Sequence, residues 1–224
     1  MRPHTALLFK EWIKLRRFCW LPPLFAAGAL FQTALSFKGY RAMHGAVAQY
    51  AEIIGKEPLI FAALRPALIG GGICFALMQF LPDCAGRRLR LTFHLPLSGP
   101  VCLRLMTGMG LLCCALTFAL TVAAFAGVTA CFGFPPEIVH PMLLSLVPWG
   151  AGMGVAYCAT AAFLAEPSMP RKLAFAAAGA AFVTMLTPTS GYGAGHDLVP
   201  RLCLCLLWIP AVEAAALRVK EGKA

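Results

Sequence analysis

Few residues in this chain are of a type and spacing that could do chemistry, and they are scattered. Arg65 stands about 10 Å into an apolar run from Pro58 to Leu81, at 1.5 Å per residue. A cation at that depth either snorkels to the interface or meets an anion, a substrate group or a carboxylate such as Asp197. His44, His140 and His196, with Met43 and Met142 close by, supply side chains that bind transition metals and haem. No two of them share ligand spacing, so they read as solvated loop histidines and no metal site is expected. Gln79 falls near the inner end of its run and reads as a partner for backbone groups. Glu213, near the inner end of the last run, reads as a carboxylate reaching back toward Arg218 or Lys220. Ser98, Ser145 and Ser168 have no base near them in sequence, and no paired acidic or histidine motif occurs, so no catalytic residue is expected. The ten cysteines lie mostly inside apolar runs and read as small packing residues.

The elements that must hold these residues follow from composition. Of the 224 residues, 60% are hydrophobic and 12% charged, and the mean hydropathy is +0.76. Ordinary globular chains carry about 25% charged residues. A soluble fold of this size could not cover so much apolar surface, and disorder is excluded for the same reason. Six runs approach the roughly 20 apolar residues that cross a bilayer: Phe18–Phe37, Pro58–Leu81, Leu105–Gly127, Pro141–Ala165, Leu173–Thr187 and Leu198–Leu217. The first has small residues at Ala27–Gly28–Ala29, as a cleaved signal would. Pro22–Pro23 break its core, however, and a polar, amphipathic stretch precedes it, so it reads as a span.

The net charge of +10 then becomes a statement about topology. With the N-terminus inside, 14 Lys and Arg fall on the inner side and 5 (Lys38, Arg41, Lys56, Arg65 and Arg201) on the outer side. That bias puts both termini in the cytoplasm and removes the need for a nucleic-acid partner. The expected fold is an all-α integral membrane protein forming one transmembrane domain over residues 1–224. Ala46, Val47, Tyr50, Ile53 and Ile54 are spaced as a short amphipathic helix on the outer surface. Gly150-Ala151-Gly152-Met153-Gly154 makes a small-residue strip on the fourth span, which permits close packing within the subunit, the commoner arrangement, or between subunits.

Two segments stand apart. Residues 1–17 have helical period, with Leu7, Leu8, Trp12 and Leu15 on an apolar face and Lys10, Glu11, Lys14 and Arg17 mostly elsewhere. Such a helix lies in the headgroup layer. Residues 83–104 form the largest inner loop, in which apolar Leu89, Leu91, Phe93, Leu95 and Leu97 interleave with Arg88, Arg90, Thr92 and His94. An isolated strand would leave its backbone unpaired at a membrane surface. A short helix ended by Pro96, with Ser98 capping the next, is the better reading.

Together these segments resemble the membrane subunit of type-2 ABC transporters, the ABC-2 permease family. The elbow of that family is read here at Lys10, Glu11, Trp12, Lys14, Arg16 and Arg17, and its first cytoplasmic loop at Asp83…Gly86…Leu95-Pro96-Leu97-Ser98…Arg104. Asp83 stands where the family usually has Glu, and Arg87 where it has Thr. The resemblance implies six transmembrane helices with an in-plane amphipathic elbow helix, in the bacterial plasma (inner) membrane. It implies that residues 83–104 couple to an ATP-binding subunit. Leu91, Phe93 and Leu95 would fill its groove and Arg87, Arg88 and Arg90 would pair with its acidic rim, with His94, Pro96 and Ser98 beside them. Arg65 is the candidate on the substrate path.

The chain carries no ATPase of its own. Its Gly-Lys pairs, Gly55–Lys56 and Gly222–Lys223, lack the following Ser or Thr of a P-loop. ATP and Mg would therefore be used by the partner, and no cofactor is expected on this chain. The expected partners are that ATP-binding subunit, a second permease subunit (a copy or a paralogue) and membrane lipid. A non-transporting membrane scaffold of the same layout, and a small integral-membrane enzyme, are the alternative readings.

Overall fold

The computed structural model describes residues 3–56, 58–85, 98–187 and 198–221. Among them every regular element is an α-helix: α1 (Pro3–Arg16), α2 (Leu21–Lys56), α3 (Leu64–Ala85), α4 (Gly99–Cys131), α5 (Pro136–Ala165), α6 (Met169–Leu186), α7 (Leu198–Cys205) and α8 (Trp208–Glu221).

Among the described residues three helices are long and apolar enough to cross a membrane: Leu64–Cys84 of α3, α4 and α5. The bent pair α1–α2, with 47° between its halves, makes a fourth if it is one span. The other two runs read from the sequence fold into helices that fall short of that measure. The run Leu173–Thr187 lies in α6, whose 18 residues take Arg171 and Lys172 into the first turn. The run Leu198–Leu217 is broken at Leu206–Leu207. Pro210 has no N–H to give the Leu206 carbonyl four residues back, so the helix cannot run through; Ile209 bonds that carbonyl at 3.2 Å.

The core is centred on α5, which packs against α3, α4, α6, α7 and α8. Within its apolar stretch 67% of residues are buried, against 28% in α4. The difference follows from the residues. α4 buries Cys102, Met106, Gly110, Cys113, Thr117, Thr121 and Phe125 along one stripe and turns Leu112, Leu116 and Leu120 outward. Small and hydroxylated groups face protein and the leucines face outward, as a helix in lipid requires. The hydroxyl of Thr121 bonds the Thr117 carbonyl at 2.8 Å, so its polar group is satisfied within its own helix. The strip on α5 packs within the subunit: a side-chain carbon added at Gly150 would lie 2.7 Å from the Phe118 ring, and one at Gly154 would lie 3.7 Å from Leu111.

α5 begins at Pro136, five residues before the expected Pro141, because a proline suits the first helical turn, whose N–H has no acceptor. Ser98 occupies the N-cap position of α4 with extended backbone, but its hydroxyl makes no capping bond. Only its carbonyl takes part, accepting from Cys102 at 3.1 Å.

α2 is interrupted at Gly45, where φ is +81°, a conformation that side chains disfavour. Beyond it, Ala46–Lys56 is helical, as the spacing predicts. This segment is docked on protein through Gln49 (to the Phe37 carbonyl, 3.2 Å), Tyr50 (to the Gly133 carbonyl, 3.0 Å) and buried Ile53. Val47 and Ile54 stay exposed. Phe37 and Phe134 meet beneath it with their rings tilted and 5.2 Å apart, and Arg41 donates to the Phe132 carbonyl at 3.1 Å.

Candidate functional site

The densest polar cluster lies where α1 meets the bundle. Glu11 is fully buried, on the same face of α1 as Leu7 and Leu15, which are 3% and 0% exposed. The inward face of α1 is therefore 7-11-15 with Lys14 at its edge, a spacing of four that stacks side chains on one side of a helix. This corrects the reading from sequence, which put Glu11 away from the apolar face and Trp12 on it. Trp12 is 44% exposed and turns outward with Phe9 and Ile13.

A buried carboxylate is tolerated only with charge and hydrogen-bond partners. Glu11 has both. Lys14 Nζ lies 2.8 Å from Glu11 Oε1 and 2.5 Å from Asp83 Oδ2, bridging two carboxylates. Lys10 adds a second cation 3.9 Å from Glu11. Gln79 Nε2 donates to Glu11 Oε2 at 3.0 Å and to the Met106 carbonyl at 2.7 Å. Tyr157 Oη donates to Gln79 Oε1 at 2.8 Å. Two carboxylates are thus balanced by two ammonium groups. The chain of bonds runs from α1 through α3 to α4 and α5. Gly110 makes room for it, since a side-chain carbon there would overlap the Tyr157 hydroxyl and come within 2.5 Å of Gln79 Oε1.

A second ionic group sits at the end of α5. Glu166, buried, follows the last turn of that helix, where a carboxylate opposes the helix dipole. Arg218 of α8 answers it at 3.0 Å and Arg171 of α6 at 3.8 Å. Beside them, Arg104 of α4 grips Glu213 of α8 with two hydrogen bonds, 2.7 and 3.3 Å. Glu213 was expected to turn toward Arg218 or Lys220. Arg218 instead serves the more deeply buried Glu166, and Arg104 takes Glu213.

The remaining candidates fall as follows. Arg16 and Arg17 are exposed at the end of α1. Arg65 is half-buried at the start of α3 and donates to the Thr187 carbonyl at 3.3 Å, closing the C-terminus of α6. It also lines a cavity of about 600 Å³ with Ile69, Ile73 and Trp149. Asp197, its expected carboxylate, lies outside the described residues. So do Arg87, Arg88, Arg90, Leu91, Phe93, His94, Leu95, Pro96 and His196. His44 stacks on Tyr40 at 4.6 Å and is exposed, as is His140. Among the described residues no three His, Cys, Asp or Glu side chains are grouped to hold a metal, and all ten cysteines are free thiols.

The ionic cluster was missed because its members, taken singly, look ordinary. Gln79 and Asp83 stand four apart on α3, and Glu11 and Lys14 three apart on α1. That Glu11 sits in register with Leu7 and Leu15 was the available signal. No protein-family model, curated protein or solved structure matches the chain.

Proposed function

We propose that this chain is the membrane subunit of a type-2 ABC exporter in the bacterial plasma membrane. It crosses the membrane six times with both termini in the cytoplasm, α1 is its in-plane elbow, and the part of residues 83–104 that joins α3 to α4 docks on a separate ATP-binding subunit. One observation carries the reading: the buried Glu11–Lys14–Asp83–Gln79 cluster fastens α1 to α3 and α4, the two helices that flank residues 86–97. A basic segment ahead of the first span needs no such attachment if its task is only to set topology. One that must move with the ends of α3 and α4 does. In this reading ATP-driven closure of the partner pulls on residues 86–97 and displaces α1, α3 and α4 together, and two such subunits rock about their interface.

The chain is to be co-expressed with a P-loop ATPase encoded beside it and purified through a tag on the chain. The expected results are a stable complex with substrate-stimulated ATPase activity, and loss of both on Phe93→Asp or Leu95→Asp, which put a charge where apolar side chains fill a groove. A complex retained in both variants would sink the coupling role. A complex whose ATPase ignores the membrane chain would leave the scaffold reading in its place.

A further inference from the structure

Among the described residues Arg65 is the only charged group on the wall of its cavity, and the apolar space continues beyond the arginine's reach. The 600 Å³ space along α3 shares Ile69 and Ile73 with a second space of about 440 Å³, bounded by α5 and α6 and reaching Phe163. From Trp149 to Phe163 along α5 the combined groove is about 21 Å long at 1.5 Å per residue. One leaflet's share of the hydrocarbon core is about 15 Å. The groove is therefore longer than one leaflet's share and long enough to take an acyl chain.

Its chemistry has two parts. The walls offer little but hydrocarbon. The hydroxyls of Thr160 and Thr184 are already given to the carbonyls of Ala156 and Ala181 at 2.8 Å. The first N–H groups of α3 are taken as well, Leu64 by Phe61 and Arg65 by Ala62. At one end stands a guanidinium with no carboxylate paired to it among the described residues. One of its five donors goes to the Thr187 carbonyl. The rest have no partner among the described residues and stand beside an apolar slot, where an anion gains more from a charge-assisted hydrogen bond than it would in water.

We propose that this groove binds one anionic phospholipid, its phosphate on Arg65 and an acyl chain along Ile69 and Ile73 between α3, α5 and α6. The start of α3 and the end of α6 are already closed without such a ligand, so the guanidinium donors left without a partner among the described residues are what call for it. Ala156, Ala159 and Ala176 line the slot with little side-chain volume, and Gly179 lets α6 close on Ala159 of α5, since a side-chain carbon there would lie 2.5 Å from it. The proposal is independent of the ABC reading and needs only that these helices lie in a bilayer.

The test is native mass spectrometry of the full chain released from nanodiscs containing equal parts phosphatidylglycerol and phosphatidylcholine. The wild type is expected to retain one phosphatidylglycerol, preferred about tenfold over phosphatidylcholine, as a charge-assisted contact to Arg65 would give. Arg65→Gln is expected to lose the preference and Arg65→Lys to keep part of it. Ile73→Trp leaves the guanidinium in place and fills the slot, and is expected to lose the lipid altogether. It also decides the matter should Arg65→Gln fail to fold. Equal retention of the two lipids by the wild type, an undiminished phosphatidylglycerol adduct in Arg65→Gln or Ile73→Trp, or a second copy of the chain retained in place of lipid, would each overturn the proposal.

Discussion

Glu11 and Gln79 lie 68 residues apart in the chain and share a 3.0 Å hydrogen bond where neither side chain meets solvent. The bond joins the N-terminal helix to the second of the apolar runs. It makes one face of a helix that the sequence places in the headgroup layer part of the core. Lys14 completes the join, and its removal gives the sharpest stability prediction. Lys14→Met leaves Glu11 and Asp83 buried without the cation between them. The expected loss is about 3–5 kcal/mol, the usual cost of stranding a buried charge. Adding Asp83→Asn to the same chain should recover part of it. Reversible unfolding in mixed micelles measures both, and a Lys14→Met protein as stable as wild type would show that the cluster carries no stability.

Gly110 tests the same cluster from the α4 side. Gly110→Ala places a methyl on the Tyr157 hydroxyl and should cost about 1–3 kcal/mol through overpacking. Tyr157→Phe removes the oxygen it strikes. The double variant should therefore lose less than the sum of the two single ones, a coupling that a double-mutant cycle reads directly. Strict additivity would contradict the packing described.

Two glycines of α2 should respond in opposite senses. Gly45→Ala forces a side chain into an extended positive-φ conformation open essentially to glycine alone and should destabilise by about 1–3 kcal/mol. Gly28→Ala, in the helix interior with open space where its methyl would go, should stabilise by about 0.5–1 kcal/mol. Shifts of the same sign in the two unfolding curves would mean that the reversal at Gly45 is not formed.

The two ionic contacts of α8 should differ in weight. Arg218→Met takes the nearer cation from a carboxylate that is fully buried, whereas Arg104→Met frees one that keeps some access to solvent. The melting temperature should fall clearly in the first and little in the second. The reverse order would place Glu166 in a more hydrated setting than its burial indicates.

The six-span topology is tested by reporter fusions. Reporters at both ends should report the cytoplasm, and one inserted between α6 and α7 should report the outside. A cytoplasmic signal from that insertion would reduce the count to the four candidates α1–α2, α3, α4 and α5.

Much of this architecture can be read from residue types. The runs around Gln79, Met106 and Met153 are apolar for long enough that only a membrane helix fits, and α3, α4 and α5 are where hydropathy puts them. Gly150 and Gly154 announce close packing because small residues have no other use in that setting. What could not be read depends on distant pairs. The amphipathic rule sends charges to the polar face and so puts Glu11 there; Gln79, which holds it in the core, is 68 residues away and leaves no mark on its neighbours. Pro210 did mark the break before α8, but a run counted by mean hydropathy hides a missing hydrogen bond. Glu213 was matched to the nearest cations in sequence, whereas helix packing brought Arg104 from 109 positions away.

Gln79 gives two hydrogens and accepts one, and each of these exchanges is with a different helix. In mutational terms this makes position 79 nearly monovalent. Glutamate would bring a third carboxylate and no donor. Leucine and methionine would match the volume and strand three polar atoms, and asparagine is one methylene too short to span the same partners. Four helices thus agree on the identity of one uncharged side chain, and drift at that position is confined by geometry before any question of transport arises.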